Sequence, residues 1–60
     1  MIRINDETPE AVLREVKAGK LITDTFSKTG LVESVDIEDD GLYTIYRFML
    51  VTGRIIMTRR

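Results

Sequence analysis

The chain contains no cysteine and no histidine. Without cysteine there is no disulfide framework, no thiolate zinc site and no thiol nucleophile. Without histidine the usual general base and the commonest metal ligand are also gone. Neither sign of charge dominates: nine basic residues face ten acidic ones, and the isoelectric point is about 5.2. Nucleic-acid modules are usually clearly basic. No apolar run approaches the ~20 residues of a membrane helix. The opening MIRINDETPE is acidic where a signal peptide is basic and then apolar. A cytoplasmic protein with no membrane partner and no cofactor is expected.

Length excludes more. Sixty residues leave no room for a dinucleotide-binding fold, a TIM barrel or a second domain, so residues 1–60 are read as one small domain. Surface scaling for this mass predicts roughly 10,000 Å² exposed when unfolded and about 4,000 Å² when folded. Burial of the apolar share contributes ~90 kcal/mol at ~25 cal/mol/Å², and ordering the chain costs about the same. Stability therefore depends on good local structure or on a partner subunit.

What is present is a folding composition, 43% hydrophobic and 32% charged, too apolar for a disordered chain. Met1 to Asn5 alternates weakly and suits a short strand. Thr8 fits a helix N-cap and Pro9, the only proline, fits the first helical position. Asp6, Glu7 and Glu10 place negative charge at the positive end of the helix dipole. Val12, Leu13 and Val16 form an apolar stripe, Glu10 and Arg14 an i,i+4 pair, and Gly19 a C-terminal stop. The spacing predicts a helix over about 9–18.

From Lys20 the period changes to two. Leu21 to Phe26, Leu31 to Glu38, Leu42 to Val51 and Arg54 to Arg59 read as strands. Ser27 to Gly30, Asp39 to Gly41 and Thr52-Gly53 read as turns. In the second strand Leu31, Val35 and Ile37 are expected on one face. The third is apolar on both, with Tyr43, Ile45, Met49 and Val51 opposite Leu42, Tyr46, Phe48 and Leu50. A sheet with one wet face would alternate instead. The predicted class is α+β: one N-terminal helix packed on an antiparallel meander of about three to five strands. The helix covers one face only. A homodimer mate is expected on the other, with closure into a barrel as the alternative. The strand–turn rhythm of TGLVESVDIEDDGLYTIYRFMLVTGRIIMTR resembles SH3-like small barrels, without a signature residue of any one family.

Asp36 to Gly41 resembles the start of a calcium loop, but position 12, where a bidentate Glu closes such a loop, is Arg47. The serines and threonines have no histidine to activate them, and a hairpin tip does not enclose paired carboxylates. No catalytic or metal-binding residue is expected, and the chain is read as not an enzyme. Charge segregation is the more informative feature: five acids and no base lie between Glu33 and Asp40, and four arginines and no acid between Arg47 and Arg60. Neighbouring strands could simply pair these charges.

The expected function is that of a small non-catalytic regulatory or adaptor protein that binds another protein. Its contact residues would be Glu33, Asp36, Glu38, Asp39, Asp40 and Tyr43. The alternative is a weak nucleic-acid-binding regulator using Arg47, Arg54, Arg59 and Arg60, with Tyr46 or Tyr43 as a stacking platform. Phe48 is expected in the core and one tyrosine near the edge. Replacing Arg59 and Arg60 together is expected to leave folding nearly intact.

Overall fold

A computed structural model describes residues 1–60. The chain forms β1 (Ile2–Ile4), α1 (Glu10–Glu15), β2 (Leu21–Asp24), β3 (Thr29–Asp39), β4 (Thr44–Leu50) and β5 (Ile55–Arg59). The five strands make one sheet in sequence order. β2 to β5 form the antiparallel meander, but β1 pairs with β2 in parallel, Ile2 opposite Ile22 and Ile4 opposite Asp24. The sheet is therefore mixed. Parallel neighbours need a long crossover, and the Asn5–Lys20 segment carrying α1 supplies it.

The helix is shorter than its sequence signals suggest. Thr8 does not cap it: its hydroxyl donates to Arg3 O (2.8 Å) and accepts from the Asn5 N–H (2.9 Å), tying down the turn after β1. Pro9 occupies the N-cap position, with ψ of 145°. Val16 leaves the helix in an extended conformation, yet its side chain is buried beside Leu13. Once that residue has reached the core, Lys17 to Lys20 carry nothing apolar enough to continue the helix. Gly19 serves a later turn at φ +93°, its N–H donating to Val32 O (2.9 Å).

The core comprises Ile4, Leu13, Val16, Ile22, Val32, Tyr46, Phe48, Leu50 and Ile56. Phe48 is fully buried, as expected, while Tyr43 lies half exposed. In β3, Val32 rather than Leu31 enters the core. A bulge between Val32 and Ser34 restores Val35 and Ile37 to the inner side and leaves Leu31 outside. Leu42 is also outside, 85% exposed, because it belongs to the turn before β4. Gly30 lies within β3 rather than in a turn, where a Cβ would come within 3.4 Å of Leu50 Cδ1. The turn itself falls at Thr25–Lys28, with the Asp24 carboxylate accepting from the N–H groups of Phe26 and Lys28.

The sheet is not closed into a barrel, because no backbone ladder joins β5 to β1. One side chain spans that seam. The Arg60 guanidinium donates to Asn5 O and Thr8 O, each at 2.7 Å.

Candidate protein-binding surface

Strand alternation decides which side chains reach the outer face. The ladder sets Ser34, Asp36 and Glu38 of β3 beside Met49, Arg47 and Ile45 of β4, and these beside Ile55, Met57 and Arg59 of β5. The outer face thus grades from acidic at β3 to apolar at β4 and β5. Met49, Val51, Ile55 and Met57 are all exposed, Met57 to 64%. Nothing in the chain covers them. The helix is on the other side.

Arg47 sits where acid and apolar zones meet. Its Nη1 lies 3.2 Å from Asp36 Oδ2 and 3.7 Å from Glu38 Oε2, a cross-strand pairing of the segregated charges. Asp39 and Asp40 are occupied locally. Asp39 Oδ1 accepts from the Gly41 N–H, and Asp40 Oδ1 from the N–H groups of Leu42 and Tyr43. The Tyr43 and Leu42 amides hold the Asp40 carboxyl below its ordinary pKa. Gly41, at φ +93°, gives the tip the left-handed residue it requires. Glu33 is exposed at the bulge, in no ion pair. Tyr43 lies under Arg59, whose guanidinium carbon is 4.3 Å from the ring centroid. The six expected protein-contact residues therefore divide into rim charges, turn-holding aspartates and one stacked tyrosine.

The expected nucleic-acid set does not assemble. Tyr46 is fully buried and its hydroxyl donates to Glu10 Oε2 at 2.5 Å, so its ring cannot stack on a base. Arg60 is committed to the seam, and Arg47 to two acids. Arg54, in the turn before β5, and Arg59 have no carboxylate partner.

Two features escape the sequence reading. One is the link from Glu10 to Tyr46, which ties α1 to β4. Burial raises the Tyr46 pKa, the bond to Glu10 raises it further, and the same bond lowers that of Glu10. Arg14, 3.2 Å from Glu10 and 5.9 Å from the Tyr46 ring centroid, completes the group. The predicted i,i+4 pair is present, but its tyrosine has no sequence signal. The other is the contribution of Ile55 and Met57 to the outer strip, legible only as alternation with Ile56 and Thr58.

Concave space is limited. A groove of about 170 Å³ lies in the seam between Ile4–Asp6, Thr25–Phe26 and Ile56–Thr58. Small-molecule sites are typically about 300–1,000 Å³. The two larger depressions, of about 540 and 500 Å³, are wide-mouthed; the first mixes polar and apolar residues, and the second is lined almost wholly by polar ones. No group of three or more carboxylates converges to hold a metal ion, and no helix is long and apolar enough to cross a membrane.

No protein family, curated protein or solved structure matches this chain.

Proposed function

We propose that this chain is a small non-catalytic regulatory or adaptor protein that works by binding another protein through the outer face of β4 and β5. The supporting observation is the exposed strip of Met49, Val51, Ile55 and Met57. Exposed apolar residues gathered on one face and rimmed by charge are characteristic of contact surfaces. Here Asp36, Glu38 and Arg47 form one rim and Arg59 stacked on Tyr43 the other. The strip supplies area to desolvate, and the rim supplies orientation. Asp39 and Asp40 add charge at one end while holding their turn.

A photo-crosslinking residue at position 57, with a control at Lys17, tests this in native extract. One discrete protein captured at 57 but not at 17, and displaced by excess unlabelled chain, is the expected result. Equal labelling at both positions would overturn it. So would amide shifts with oligonucleotides at Arg54 and Arg59 that fade between about 50 and 200 mM salt, which would identify a phosphate backbone as ligand.

A further inference from the structure

The two ends of β3 are paired differently. At its start β2 lies alongside, through Thr29, Gly30 and Leu31, and the Val32 N–H donates to Lys20 O at 2.8 Å. From Ser34 to Asp39 its only neighbour is β4. The Asp40 N–H donates to Tyr43 O, while Thr44 exchanges its backbone bonds with Arg60 of β5, and this sets the phase of the β3–β4 ladder. Ser34, Asp36 and Glu38 bond to β4, and Val35, Ile37 and Asp39 direct their N–H and C=O groups away from it. No other backbone group of the chain takes these up. The stretch is open: Ser34, Asp36, Glu38 and Asp39 are exposed, Ile37 is 47% exposed, and Val35 is half-buried.

Such an edge is commonly blunted by proline, by lysine, by a bulge or by a charge pointing inward. None of these falls within Ser34–Asp39. The bulge precedes it, and the inward residues are Val35, packed against the core, and Ile37. Its charge is acidic and lies on the outer side at Asp36 and Glu38, with Glu33 and Asp39 at the ends and Arg47 as the one cation beside them. That charge excludes one occupant and suits another. A second copy pairing antiparallel through β3 would set the carboxylates of Asp36 and Glu38 against their own counterparts. A strand with cations on its outer side and apolar residues on its inner side would match both faces.

We propose that the Ser34–Asp39 edge of β3 takes an extended basic segment of a partner protein, alternating cationic and apolar residues, as an added antiparallel strand. Main-chain bonds to Val35, Ile37 and Asp39 hold the segment. In an antiparallel pair the bonded residues lie directly opposite, with side chains on the same face, so apolar residues of the segment bond to Val35 and Ile37. Its cations then lie beside Asp36 and Glu38, which reject an acidic strand. This contact uses the sheet edge and is independent of what binds the outer face of β4 and β5.

The test is an NMR titration of the full chain with the blocked peptide Lys-Val-Lys-Val-Lys-Val-Lys. On binding, the Val35, Ile37 and Asp39 amides should exchange more slowly with deuterium, the β5 amides should keep their shifts, and affinity should fall as salt rises. Asp36→Asn with Glu38→Gln should lose most of the affinity and its salt dependence. Ile37→Pro removes one outward N–H at a position where an edge strand tolerates proline, and should abolish the slowed exchange at Val35 and Asp39. If circular dichroism shows that variant unfolded, the same peptide N-methylated at its valines removes the bonds from the other side and should not bind. A peptide that does not bind at millimolar concentration, or binds without slowing those three amides, would overturn the proposal. So would equal binding by Lys-Lys-Lys-Lys-Val-Val-Val, the mark of general attraction to acid. Shifts confined to the outer face of β4 and β5 would also overturn it, while leaving the reading of that face intact.

Discussion

Two adjacent arginines near one end of the chain have opposite duties. Arg59 lies on the surface over Tyr43, whereas Arg60 donates to two backbone carbonyls across the seam and to Thr58 Oγ1. Sequence alone treats them as one basic pair, because nothing in the residue type says which face a strand position serves. The expectation that both could be replaced without cost therefore needs revision for Arg60. Arg60→Ala should cost ~1–3 kcal/mol in urea unfolding by taking the side-chain donor from Thr8 O and one of two donors from Asn5 O, and Arg59→Ala ~0–1 kcal/mol. The link between Tyr46 and Glu10 gives a pH signature. The lowered Glu10 pKa supplies stability that is complete above the unfolded carboxyl pKa and is lost as pH falls through the folded value. The raised Tyr46 pKa supplies stability that is complete below the unfolded phenol pKa and is lost as pH rises through the folded value. Tyr46→Phe should flatten both limbs, and an NMR titration should find the Glu10 carboxyl returned toward its ordinary pKa.

Elements were legible to different degrees. The strands were readable because alternation is a two-residue property that survives short lengths, and the observed β4 and β5 fall inside the stretches predicted for them. The helix is shorter than its sequence signals imply. Its signals at Thr8, Pro9 and Gly19 are each genuine turn chemistry, but here they serve three separate structures. A helix of six residues cannot stand alone and is held by what it buries. Leu13, fully buried beneath it, is the anchor, so Leu13→Ala should cost ~2–5 kcal/mol by denaturant unfolding. A change that small on a surface position such as Lys17 should be close to neutral. The bulge at Glu33 was invisible for the opposite reason: one extra residue shifts the phase of β3 without leaving a mark in composition. Leu31 and Val32 exchange roles as a result.

At the scale of the molecule, the folded surface of 4172 Å² meets the value of about 4,000 Å² that mass alone predicts. An ordinary surface area can nonetheless be unevenly distributed. The sequence showed that β4 is apolar on both sides, and the structure puts the odd-numbered side on the exterior. The charge blocks were equally visible as runs, but their meaning depends on strand order, which brings Asp36 and Glu38 to Arg47 and leaves Arg54 and Arg59 unpaired. Among the candidate contact residues, alternation alone places Asp36 and Glu38 on one face of a strand. The amide bonds held by Asp39 and Asp40 have no such signal, since an aspartate that caps its own hairpin looks like any other in sequence.

One strand belongs to everything. β3 pairs with β2 at its start and with β4 from Val32 onward, so it is the sole backbone connection between the first half of the sheet and the second. Neither half can detach while the other stays intact without exposing the hydrophobic cluster both contribute to. Amide protons in the β2–β3 and β3–β4 ladders should therefore exchange with deuterium at one common limiting rate, that of whole-molecule opening.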